Sequence, residues 1–115
     1  MAKQKTSAEF LAHQSGKPWE QAEKGILRQI LGYDASLMMV KVKFETGAVS
    51  ASHTHPHTQT SYVASGRFKV EIAGEVKTLD EGDAFYVPPG VPHGATCLES
   101  GMLIDSFSPC REDFL

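Results

Sequence analysis

Between Met38 and Phe44 the chain alternates: Met38, Val40, Val42 and Phe44 are apolar, while Met39, Lys41 and Lys43 stand between them, two of these three charged. A period of two puts successive side chains on opposite faces, which is the pattern of a strand with one buried face. The same alternation returns in Phe68, Val70 and Ile72, set against Arg67, Lys69 and Glu71. Ala73-Gly74 then reads as a two-residue hairpin turn into a strand at 75–79. Asp80-Glu81-Gly82-Asp83 is a second turn, followed by a strand Ala84–Val87 and a corner at Pro88-Pro89-Gly90. Further strands at 26–31, 61–64, 93–98 and 102–107 bring the count to about eight, that of a double-sheet jelly-roll barrel. The predicted class is all-β.

Ahead of Gly25 the pattern is absent. Ser7 caps a short turn over 8–13, and Pro18 interrupts any helix that would continue from it. The chain therefore divides into a short N-terminal extension, 1–24, and one barrel domain, 25–115. A length of 115 residues suits one core and not two. Lys and Arg number 11 against 14 Asp and Glu, a net charge of −3. Nucleic-acid binding surfaces carry a basic excess, so the balance excludes that partner as a first expectation. No apolar run approaches a membrane span, and the first ten residues carry Lys3 and Lys5 but no apolar stretch of the secretory kind. Cys97 and Cys110 make neither a disulfide framework nor a CxxC pair. A cytoplasmic, reduced protein is expected.

Three of the five histidines, His53, His55 and His57, fall within five residues. His53 and His55 share parity, so both can face one interior, and His93 can reach them only if the fold brings a distant strand alongside. Neutral imidazoles suit one divalent ion such as Zn, Ni, Fe or Mn. Pro56 bends the run at His57, which is read first as a pocket residue, with the ligand role left open. His13 is read as a solvated surface histidine and Cys97 as a small core side chain. Trp19 and Tyr33 are read as packing. Met38, Met39 and Met102 belong to the core or to an interface.

Asp105 is the least expected residue. It shares a face with Leu103 and Phe107, and an acid on an apolar inward face is costly unless it is paired or has a task. Two roles stay open on spacing alone: a salt bridge to Arg111, or a general acid/base aimed at a pocket. Apolar residues on both faces of 102–107 also call for a partner surface, and a homodimer is expected.

Gly47, His53, His55, Gln59 and Gly66 stand at the offsets of the first cupin motif, G-x5-H-x-H-x3-E-x6-G. Gly82, Pro88, Gly90 and His93 stand at those of the second, G-x5-P-x-G-x2-H. The chain thus resembles the cupin family, with Gln59 where the pattern has Glu and Cys97 where it often has Asn. From Trp19 onward it is similar to the small pectin-degradation cupins that linearise unsaturated uronates. The similarity runs through Ile30-Leu31-Gly32-Tyr33-Asp34, the His-x-His-x-His-x-Gln cluster, Val91-Pro92-His93-Gly94 and the ending Phe107-Ser108-Pro109-Cys110-Arg111-Glu112-Asp113-Phe114-Leu115. The resemblance implies a metal held by His53, His55, Gln59 and His93, and a D-x-F-x3-R active-site pattern on Asp105, Phe107 and Arg111. It implies a non-redox enzyme that converts a 4,5-unsaturated monouronate, a small-molecule substrate, to a linear 4-deoxy-5-keto uronate. The alternatives are a metal-dependent dioxygenase and a cupin that binds sugar without turnover.

Overall fold

The computed structural model describes residues 6, 7 and 9–115. Among these residues eight strands follow one another: β1 Glu20–Glu23, β2 Ile26–Tyr33, β3 Met38–Phe44, β4 Val49–His53, β5 Thr58–Ile72, β6 Glu75–Asp80, β7 Ala84–Val87 and β8 His93–Ser108. Among the described residues a 3-10 turn, Glu112–Phe114, follows the last strand. All pairings are antiparallel, in the order β1-β2-β3-β8-β5-β6, with β4 added beside β8 and β7 beside β5. The all-β expectation stands, and no helix among the described residues is long and apolar enough to cross a membrane.

The strand count agrees with the expectation, but the division of the chain does not. Segments 61–64 and 68–72 are parts of one strand, β5, and 93–98 and 102–107 are parts of β8. Two short strands that the alternation did not mark, β1 and β4, restore the number. The reason lies at Gly66 and Gly101. Gly66 has φ +85°, and a Cβ there would sit 2.6 Å from the Glu99 carbonyl oxygen and 2.7 Å from the Gly101 Cα. The two long strands bend where their backbones come this close, which breaks the alternation without ending the strand. Inward positions are Gln59, Ser61 and Val63 before the bend, then Phe68 and Val70 after it.

The bend lets β5 and β8 serve two sheet halves. Before Gly66 and after Gly101 they pair with β7 and β3; beyond the bend they pair with β6 and β4. The halves close over a core in which Ile26, Phe44, Val63 and Leu103 of one meet Phe68, Val70 and Cys97 of the other. The Phe44 and Phe68 rings meet edge to face, 5.0 Å apart. A second cluster, Met38, Val40, Phe107 and Cys110, lies nearer the chain end.

Both expected turns form. Ala73 (φ 51°) and Gly74 (φ 81°) make the β5–β6 hairpin, and the Asp83 carboxylate accepts from the Asp80 backbone N–H in the next turn. In the N-terminal segment the expected turn does not appear at 9–13, and residues 1–5 and 8 lie outside those described. The sheet begins at Glu20, within the stretch read as an extension.

Candidate metal centre

The two histidine-bearing segments meet because β4 and β8 pair with His53 opposite His93. Past His53 the chain leaves the sheet, and the His55 carbonyl accepts from the Gly90 backbone N–H at 2.9 Å, which ties the second motif to the first. The result brings the ring nitrogens of His53, His55 and His93 within 4.8 Å of one another. His55 and His93 are buried, while His53 is exposed at the rim. His53 and His93 stand at a cavity of about 330 Å³ whose wall also includes Gln59, Asp105, Phe107 and Arg111.

Hydrogen bonds orient the rings. Each Nδ1 lies beside a backbone carbonyl: His53 with Ala51 at 2.8 Å, His55 with His57 at 3.1 Å and His93 with Val91 at 2.9 Å. A carbonyl only accepts, so each Nδ1 carries a proton, and in a neutral ring Nε2 is then the nitrogen with the lone pair. The His93 Nε2 is buried with no hydrogen-bond partner among the described residues. The His55 Nε2 sits 2.9 Å from Gln59 Oε1, an acceptor against an acceptor if the ring is neutral. Burial lowers the pKa of both His55 and His93, and the neighbouring Arg111 charge adds to that, so neutral rings are favoured. Lone pairs converging without protons fit a divalent cation. The residues present thus suit the metal that the cupin pattern implies, with His53, His55, His93 and the Gln59 oxygen as the donors able to hold it.

His57 stands apart from that cluster. Its carbonyl orients His55, its ring packs edge-on to His55 at 5.5 Å, and its Nδ1 is buried without a partner. Trp19 is absent from the cavity wall and instead lies 5.4 Å and 5.8 Å from the ammonium groups of Lys41 and Lys43. Tyr33 and Met38 pack in the second core cluster, Met39 is exposed on the outer face, and Cys97 is a core side chain.

Asp105 projects inward between Val40 on β3 and Ser61 on β5. Its hydrogen-bond partner is the Ser61 hydroxyl, which donates to Oδ1 at 2.5 Å. Arg111 is not its salt-bridge partner: the guanidinium Nε and Nη2 donate to the two carboxylate oxygens of Asp113, at 3.1 Å and 2.9 Å. The Arg111 fork lies over the Phe107 ring (4.9 Å) and the Phe114 ring (4.1 Å) at the cavity wall. Burial pushes the Asp105 pKa up to about 6, offset in part by the Ser61 bond and the Arg111 charge. Ser61 and Asp113 are the residues that sequence reading passed over. Ser61 left a signal, a polar side chain at the inward position between Gln59 and Val63.

The cupin domain model matches residues 40–104, more than half of the chain. The chain belongs to the cupin family. This cupin is 47% identical over 100 residues to the pectin degradation protein KdgF of Dickeya dadantii, with 85% of this chain and 91% of that protein aligned. Among solved structures it matches an RmlC-like cupin from Shewanella frigidimarina at TM-score 0.92 and 45% identity, covering 96% of this chain and 99% of the other. KdgF from Halomonas sp. matches at TM-score 0.82 and 46% identity, over 85% and 91% of the two chains.

Proposed function

We propose that this cupin converts 4,5-unsaturated monouronates to linear 4-deoxy-5-keto uronates in pectin breakdown, using one divalent ion held by His53, His55, Gln59 and His93. The observation that carries the reading is Asp105, a buried carboxyl on the same cavity wall as the imidazole cluster. The reaction needs a proton moved and no electron. As the bond between C1 and the ring oxygen breaks, the hemiacetal hydroxyl gives up its proton and C1 becomes an aldehyde. The enol left at C5 then gains a proton at C4 and becomes the ketone.

Asp105 is the proton-transfer group: Oδ1 is engaged by Ser61, which leaves Oδ2 for the cavity. A pKa of about 6 lets it both accept and donate near neutral pH. Arg111 holds the uronate carboxylate through the edge that Asp113 does not occupy, and Phe107 forms the floor between Arg111 and His55. A bound divalent ion would polarise the substrate's oxygens. Similarity to the KdgF proteins over most of both chains supports the substrate class.

The test is loss of the ultraviolet absorbance of an unsaturated galacturonate, with the product identified by NMR. Turnover that needs metal but not oxygen is expected, with Asp105→Asn losing nearly all of it. Oxygen-dependent turnover would point to a dioxygenase, and ligand binding without turnover to a sugar-binding module. A cytoplasmic homodimer is part of the same reading. Met39 and Tyr62 are exposed on the outer sheet face around Ile104, and Phe10 and Leu11 are fully exposed ahead of it. Sedimentation as a monomer at micromolar concentration would refute the dimer.

A further inference from the structure

We infer that Ser61 is a positioning residue that decides which end of the Gln59 amide faces the imidazole cluster. The inference rests on the proposed role of Gln59 as a metal ligand, and the variants below separate the two. An amide has two ends of nearly one shape and opposite chemistry: an oxygen that binds a cation and an NH2 group that does not. Shape cannot tell them apart inside the barrel, so hydrogen bonding must. Gln59 and Ser61 are 6% and 2% exposed, which leaves little room for water to substitute.

Proton counting settles the direction. The Ser61 hydroxyl donates to Asp105 Oδ1. A hydroxyl has one proton, so the Ser61 oxygen can then only accept. The Gln59 atom 2.9 Å from it is therefore the NH2 group, and Oε1 is turned to His55 Nε2 at 2.9 Å. Polarity passes from Asp105 through Ser61 to Gln59 along inward positions of two paired strands, with Ser61 directly opposite Asp105. Turned the other way, the amide would donate to His55 Nε2 and take two lone pairs out of the cluster at once.

The same count gives a reason for Gln at position 59, where the cupin pattern has Glu. A carboxylate there would put two acceptors on either side of a hydroxyl that has one proton. Gln59 supplies the missing donor while keeping an oxygen for the cation.

The experiment strips the full chain with chelator and titrates it with Zn2+ at about pH 8, reading affinity by competition with a chromophoric chelator. Gln59→Ala, which removes a ligand, should weaken Zn2+ about 10-fold or more, and Ser61→Ala about 10- to 100-fold, the usual range for a contact that supports a ligand. In a Gln59→Glu background both ends of the side chain are oxygens, so adding Ser61→Ala should change the affinity by less than about twofold, which is within ordinary scatter for independent sites. That contrast supports the inference. Equal losses from Ser61→Ala in both backgrounds would mean general damage to the site and overturn it. No loss from Ser61→Ala beside a clear loss from Gln59→Ala would overturn it while leaving Gln59 a ligand. No loss from Gln59→Ala would remove the ligand reading itself, and this inference with it.

Discussion

Replacing Asp105 by Asn should make the metal-free protein more stable while abolishing turnover. Burial raises the carboxyl from an ordinary 3.8 to about 6, so the folded state holds its proton more tightly than the unfolded chain. Below pH 4 both states are protonated and the group has no net effect. As the pH rises from 4 to 6 the unfolded chain ionises first and gains stability relative to the fold. Above pH 6 the penalty is complete. At about 1.4 kcal/mol per pH unit it amounts to about 3 kcal/mol. Asn preserves the shape and cannot ionise, so it recovers most of that penalty. Urea unfolding of chelator-treated parent and variant should show a gap of about 2–3 kcal/mol at pH 8 that closes toward pH 4. In a chain of this length the gap at pH 8 corresponds to a rise in Tm of about 10 °C or more. A variant no more stable than the parent at pH 8, or a gap that does not change with pH, would refute the burial argument.

Two other predictions concern binding and the fold. Arg111→Lys keeps the charge but loses the planar fork that lies across Phe107 and Phe114. The KM for unsaturated uronate should rise about tenfold or more with a smaller change in kcat, checked by steady-state kinetics. Gly101→Ala would press a methyl group into the Ser65 and Gly66 backbone at the strand crossing. It should cost about 3 kcal/mol or more in urea unfolding, whereas Gly32→Ala, with open space around its Cβ position, should cost under about 1 kcal/mol.

Periodicity alone was enough to read an all-β chain, because alternation is local: each of Met38, Val40 and Phe44 declares its face by its own neighbours. Both turns were legible for the same reason. The joining of 61–64 to 68–72 was not, since the bend at Gly66 exists only because another backbone, at Gly101, passes against it. Short β1 and β4 escaped notice because they have little or no buried face to mark: all four residues of β1 are exposed, and in β4 only Ser50 is partly covered. The spacing of His53, His55, Gln59 and His93 was readable as a set. Their convergence was not, because it depends on β4 pairing with β8 so that His53 lies opposite His93. Asp105 announced itself as a misplaced acid whose two roles were level on spacing alone, and the cupin resemblance favoured the active-site one; the tertiary structure pairs Arg111 with Asp113 and Asp105 with Ser61. The sequence by itself determined which residue types were available and which face each would take, since both are properties of neighbours along the chain. That Asp105 meets Ser61, and with it which way the Gln59 amide points, only the closed barrel decided, because Ser61 and Asp105 lie 44 residues apart and meet through the pairing of β5 with β8.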